Sequence, residues 1–135
     1  MTGETRLMWG ITLVTVPTII YGGLTVLGVV SSGRMGMPAP QNLTPLQVTF
    51  YRAGHAHAGV LLILSLLVQL ALDEAKLPPS WVWPLRVAAV ASVLLVSGGF
   101  FASAHLAALR VILYAGALTL IAVMLVVGIG LILAR

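Results

Sequence analysis

Residues 87–134 read VAAVASVLLVSGGFFASAHLAALRVILYAGALTLIAVMLVVGIGLILA, and Arg110 is the single charged side chain among them. As one helix the stretch would measure roughly 70 Å at about 1.5 Å per residue, more than twice the hydrocarbon thickness of a bilayer. It must therefore double back as two spans, Val87–Leu109 and Val111–Ala134. The turn is expected within Ser103–Arg110, although neither Gly nor Pro marks it.

Working outward, Leu7–Gly33 and Ala53–Leu72 also lack Asp, Glu, Lys and Arg and reach spanning length. The expected fold is an all-α integral membrane four-helix bundle, one domain over residues 1–135, with spans near 7–31, 46–72, 80–103 and 108–133. Composition agrees. The chain is 60% hydrophobic and 7% charged, with a mean hydropathy of +1.12, whereas a soluble domain carries roughly a quarter of its residues charged. Lipid is thus the expected partner. No cysteine is present, which excludes disulfides, thiolate metal sites and cysteine nucleophiles. The net charge of +4 comes from scattered basic residues without a run or stripe, so nucleic acid is not an expected partner.

The connections carry ordinary boundary signals. Ser31–Pro45 is rich in Gly and Pro, Thr44-Pro45 reads as an N-cap followed by a first-turn proline, and Pro78-Pro79 breaks the chain after Asp73. Pro17 is expected to kink the first span. Arg6, Lys76, Arg86 and Arg135 fall on the side of both termini, against Arg34, Arg52 and Arg110 on the other, and read as interfacial anchors. The positive-inside rule then puts both termini in the cytoplasm, with Trp9, Trp81 and Trp83 as an interfacial belt.

The only three histidines, His55, His57 and His105, fall at similar depth near one membrane face. His55 and His57 open the second span and His105 ends the third. Polar side chains inside a span usually have a partner or a task, and neutral imidazole is the commonest ligand for transition metals and haem iron. At about 100° per residue His55 and His57 point roughly 200° apart, so they suit two flanks of the helix better than one metal. A haem ligated by His55 or His57 together with His105 is the expected site. Tyr51 and Gln47, one and two turns before His55, are expected behind it, and Arg52 and Arg110 as partners for propionates. For each taken singly, packing or helix-end anchoring explains the residue equally well. The Ala and Gly around the histidines would let a flat group approach, or simply let helices pack closely through Gly54 and Ala58. Gly98-Gly99, Gly128 and Gly130 read as packing residues. Met35 and Met37 make copper the second choice of cofactor.

Tyr51-Arg-Ala-Gly-His-Ala-His-Ala-Gly59 resembles a signature of small bacterial four-helix membrane proteins, which implies a bacterial cytoplasmic membrane and the same architecture. His55-Ala56-His57 also resembles the helix of haem–copper oxidases and nitric oxide reductases whose two histidines reach different haems. That likeness covers about ten residues. A third resemblance is one of layout. Gly33-Arg34, Pro38-Ala39-Pro40, Phe50-Tyr51-Arg52-Ala53 and His55 follow the order of the first loop and motif of the membrane-associated eicosanoid and glutathione metabolism family, which implies a homo-oligomer. His57 and Val60 stand where that family has Asn and Glu, and Gly54 is an extra residue.

The expected function is binding of haem b or a transition metal, for electron transfer or small-gas or oxidant chemistry, in a homo-oligomer whose redox partner the sequence does not identify. The alternatives are a small transporter, channel or assembly subunit with structural histidines, and a divergent glutathione-related enzyme.

Overall fold

The computed structural model describes residues 1–31, 34 and 42–135. These form α1 (Gly3–Val30), α2 (Pro45–Glu74), α3 (Pro79–Ser103) and α4 (Arg110–Ile132), with one 3-10 turn at Ala107–Leu109. All four helices are long and apolar enough to cross a membrane, and no strand occurs among the described residues. The chain is an all-α bundle. Its outer surface is apolar: Val14 is 78%, Leu94 68% and Leu118 67% exposed. Such a surface is matched by acyl chains and not by water.

Local chemistry sets the helix ends. Thr2 caps α1 through a bond from the Thr5 amide, 3.2 Å long. Thr44 and Gln47 form a reciprocal capping box ahead of Pro45. Pro79 occupies the first turn of α3, where its missing N–H costs nothing. The hairpin between α3 and α4 lies where the sequence puts it. It closes without glycine through tight bonds at the end of α3 and in the turn itself: His105 N–H to Ala102 O at 3.1 Å, then Leu109 N–H to Leu106 O at 3.0 Å. α1 runs as one helix through Pro17.

Consecutive helices pack antiparallel, α1 on α2, α2 on α3 and α3 on α4, with a lesser contact between α2 and α4. One core layer joins Val68, Leu72, Ala89, Val123 and Val127; a second joins Leu61, Leu62, Val93 and Val96. Glycine sets the separation at the α3–α4 seam. A Cβ on Gly99 would lie 2.6 Å from the Leu113 backbone, and one on Gly116 would lie 2.7 Å from Val96 N. Gly98 and Gly128 face open space. The alternation gathers the end of α1, the start of α2, the end of α3 and the start of α4 at one end of the bundle, which is where the histidines lie.

Candidate functional site

α2 carries most of this end of the bundle and distributes its side chains between two flanks. Gln47 serves the helix start: its Oε1 accepts from the Thr44 N–H at 2.9 Å, so it caps α2 and does not stand behind a histidine. Phe50 and His57, seven residues apart, share the flank toward α3 and α4. Arg52 and His55, three apart, share the flank toward α1.

On the α3 flank the His57 ring packs against Phe100 with centroids 4.7 Å apart. Its Nδ1 lies 2.7 Å from the Ala53 carbonyl, one turn back on the same helix. A carbonyl oxygen only accepts, so Nδ1 carries the proton, and in the neutral ring the lone pair is left on Nε2. The side chain is exposed. From His57 an aromatic wall runs outward through Phe100 to Phe50, centroids 6.1 Å apart. It ends under the Arg110 guanidinium, 5.8 Å from the Phe50 ring centre. Phe50 and His57 are separated by about 10 Å along the helix axis.

On the α1 flank His55 is half-buried against Gly23. A Cβ there would come within 2.8 Å of His55 Cε1 and 2.9 Å of Nε2, so the imidazole lies on the α1 backbone itself. Beside it opens a groove of ≈ 320 Å³ lined by Gly23, Val26, Leu27, Val30, Arg52, His55 and Ala56. The two histidines do face opposite ways, as their spacing requires.

His105 is exposed at the end of α3, and its Nε2 is 2.8 Å from the Tyr51 hydroxyl. Tyr51 thus turns to His105 and not to His55, and its ring meets Phe101 edge-on at 5.7 Å. Of the two nitrogens of His105, expected to join His55 or His57 in ligating one group, Nε2 is engaged by this bond. Among the described residues no group of three metal-ligating side chains comes together. Arg52 and Arg110, both expected to serve propionates, stand on different flanks. Met35 and Met37, on which the copper expectation rests, lie outside the described residues.

The largest polar cluster sits at the other end. Arg86, read from sequence as an interfacial anchor, is only 1% exposed. Its Nη2 donates to Asp73 Oδ1 at 2.7 Å. Its Nη1 donates to Thr5 Oγ1 at 2.8 Å and to Gln69 Oε1 at 3.1 Å. Glu4 pairs with Nε at 3.3 Å. Thr5 and Thr2 hydroxyls donate to the same Asp73 oxygen, at 2.6 and 2.9 Å. Trp9, expected in the interfacial belt, is half-buried and donates to Leu66 O at 3.1 Å, fastening α1 to α2. The sequence held a hint of this cluster: Gln69 and Asp73 lie one turn apart on α2, and Thr2 and Thr5 one turn apart on α1. No family model matches the chain, and comparison with curated proteins and with solved structures gives no match either.

Proposed function

We propose that the chain binds haem b within the membrane, where His57 Nε2 would hold the iron. The observation that carries this reading is the Nδ1–H bond to the Ala53 carbonyl, which orients the ring and directs its free lone pair outward from the helix. The residues present suit the group. Haem asks for an imidazole with an available nitrogen, an apolar wall and a cation at the edge for its propionates. His57, Phe100 with Phe50, and Arg110 supply these in order from the interior toward the membrane surface. When bound, the haem would supply one-electron chemistry or small-gas binding.

The protein's own part is to orient and to exclude. The Ala53 carbonyl holds the ring and raises its basicity, Phe100 fixes the plane beside it, and Arg110 offsets negative charge at the surface. Each chain presents one free imidazole nitrogen on this flank. A second copy related by a two-fold axis would present another His57, and on that ground we read the protein as a homo-oligomer. Copper is the second choice and would take the same nitrogen. We place the protein in a bacterial cytoplasmic membrane on the resemblance of Tyr51–Gly59, with both termini inside on four basic residues against three.

A second reading, a transport or assembly subunit whose histidines are polar fasteners, is favoured by the Tyr51–His105 bond between α2 and the end of α3.

The test is an absorption spectrum of gently purified protein, oxidised and then dithionite-reduced, with metal analysis of the same sample. A Soret band with sharp reduced α and β bands is expected. His57→Ala should abolish it, while His55→Ala and His105→Ala keep it. Protein that is colourless, and stays so on titration with haemin, would retire the haem reading in favour of the second.

A further inference from the structure

The chain contains three acidic residues, Glu4, Asp73 and Glu74, and all of them lie at the end of the bundle away from the histidines. Two of them pair with the buried Arg86. No Asp or Glu side chain of the chain can therefore reach Arg52, which is exposed one turn above His55. His55 itself makes no hydrogen bond to any described residue, although its ring is half-buried. A cation with no carboxylate partner and an imidazole with no acceptor among the described residues thus line one edge of a groove whose walls are Val26, Leu27 and Val30.

We infer that this groove between α1 and α2 binds one anionic glycerophospholipid, with the phosphodiester on Arg52 and an acyl chain along Val26, Leu27 and Val30. Three features choose a lipid over a soluble anion or a peptide. The groove lies on the outer seam of the bundle, because α1 packs mainly on α2, and so it opens toward the bilayer. Its walls are aliphatic and offer no amide or hydroxyl pattern for a peptide backbone. Its polar groups are stepped in depth: Arg52 lies nearer the surface, at headgroup level, and His55 one turn deeper, where a ring N–H can donate to a glycerol-ester carbonyl. Gly23 shapes the site by letting the Cε1–Nε2 edge of His55 press against α1; any larger residue there would displace the ring. This site is on the opposite flank from His57 and does not depend on haem binding.

Native mass spectrometry of the detergent-purified protein, titrated with dioleoylphosphatidylglycerol or dioleoylphosphatidylcholine, tests the assignment. One phosphatidylglycerol per chain should be retained in preference to phosphatidylcholine. Arg52→Gln should weaken that retention roughly tenfold, the worth of a charge-assisted hydrogen bond. Gly23→Ala should weaken it without changing the charge. Arg110→Gln, on the same membrane face but the other flank, should leave lipid retention as it is. Equal retention of the two lipids, an unaffected Arg52→Gln, or an equal loss in Arg110→Gln would each overturn the site, the last by showing only a diffuse basic belt. Displacement of the lipid by inorganic phosphate would also overturn it, because the groove would then be taking a free anion.

Discussion

Arg86 shows how much a single side chain can bind together at the residue scale. Its guanidinium meets groups from α1 and α2, and burying it is tolerable because Asp73, Thr5 and Gln69 accept from its two Nη groups while Glu4 pairs with Nε. Arg86→Met alone should leave the Asp73 carboxylate with only its Thr2 and Thr5 donors and cost about 1.5–3 kcal/mol, measured by denaturant titration in detergent. The double variant Arg86→Met with Asp73→Leu should recover most of that loss. A single variant as mild as the double would show that the network contributes little. Tyr51→Phe is the gentler case: it removes an exposed bond to His105 and should cost about 0.5–1.5 kcal/mol, toward the lower figure. The sequence placed the histidines at one end and His55 and His57 on opposite flanks, since both follow from helix geometry and alternation. It misread Arg86 because the partners that bury it are 13 and 81 positions away, beyond any periodicity argument. It assigned both Arg52 and Arg110 to haem propionates from shared depth alone, which says nothing about flank.

At the scale of the element, the seams between helices are set by individual glycines, and adjacent glycines are not equivalent. Gly99→Ala would push a methyl against the Leu113 backbone and Gly116→Ala one against Val96, and neither neighbour can yield without moving a helix. Each should destabilise the bundle by about 1–3 kcal/mol. Gly98→Ala, one residue away and facing open space, should instead stabilise α3 by about 0.5–1 kcal/mol through better helix propensity. Melting temperatures of the three variants in one detergent check the ranking, and a Gly98→Ala variant that melts earlier than Gly99→Ala would refute it. In the sequence Gly98 and Gly99 are alike, because only the partner helix distinguishes the inward position. The helix ends were more legible. Thr44 with Gln47 and the Pro78-Pro79 pair act through neighbours a few residues away, so their chemistry is written locally. The hairpin at Ser103–Arg110 had to be inferred from length, since its tight bonds leave no glycine to read.

For the whole molecule, an even number of spans places both termini on one side of the membrane, and the absence of cysteine makes this simple to measure. Lys76→Cys and Ala134→Cys should react with an impermeant maleimide from one side of sealed, oriented vesicles, and Asn42→Cys and Leu106→Cys from the other. Any mixed pattern among the four would break the topology. The polar network at the terminal end also has a consequence for biogenesis. Asp73 and Arg86 are 13 residues apart across one short loop, so they can neutralise each other as soon as the α2–α3 hairpin leaves the ribosome. Thr5 must wait for Arg86 to be synthesised 81 residues later. The first helix can meanwhile be held on the second by Trp9 to Leu66 O and by Thr2 and Thr5 to Asp73, so Arg86, arriving with the third, completes a latch already half closed.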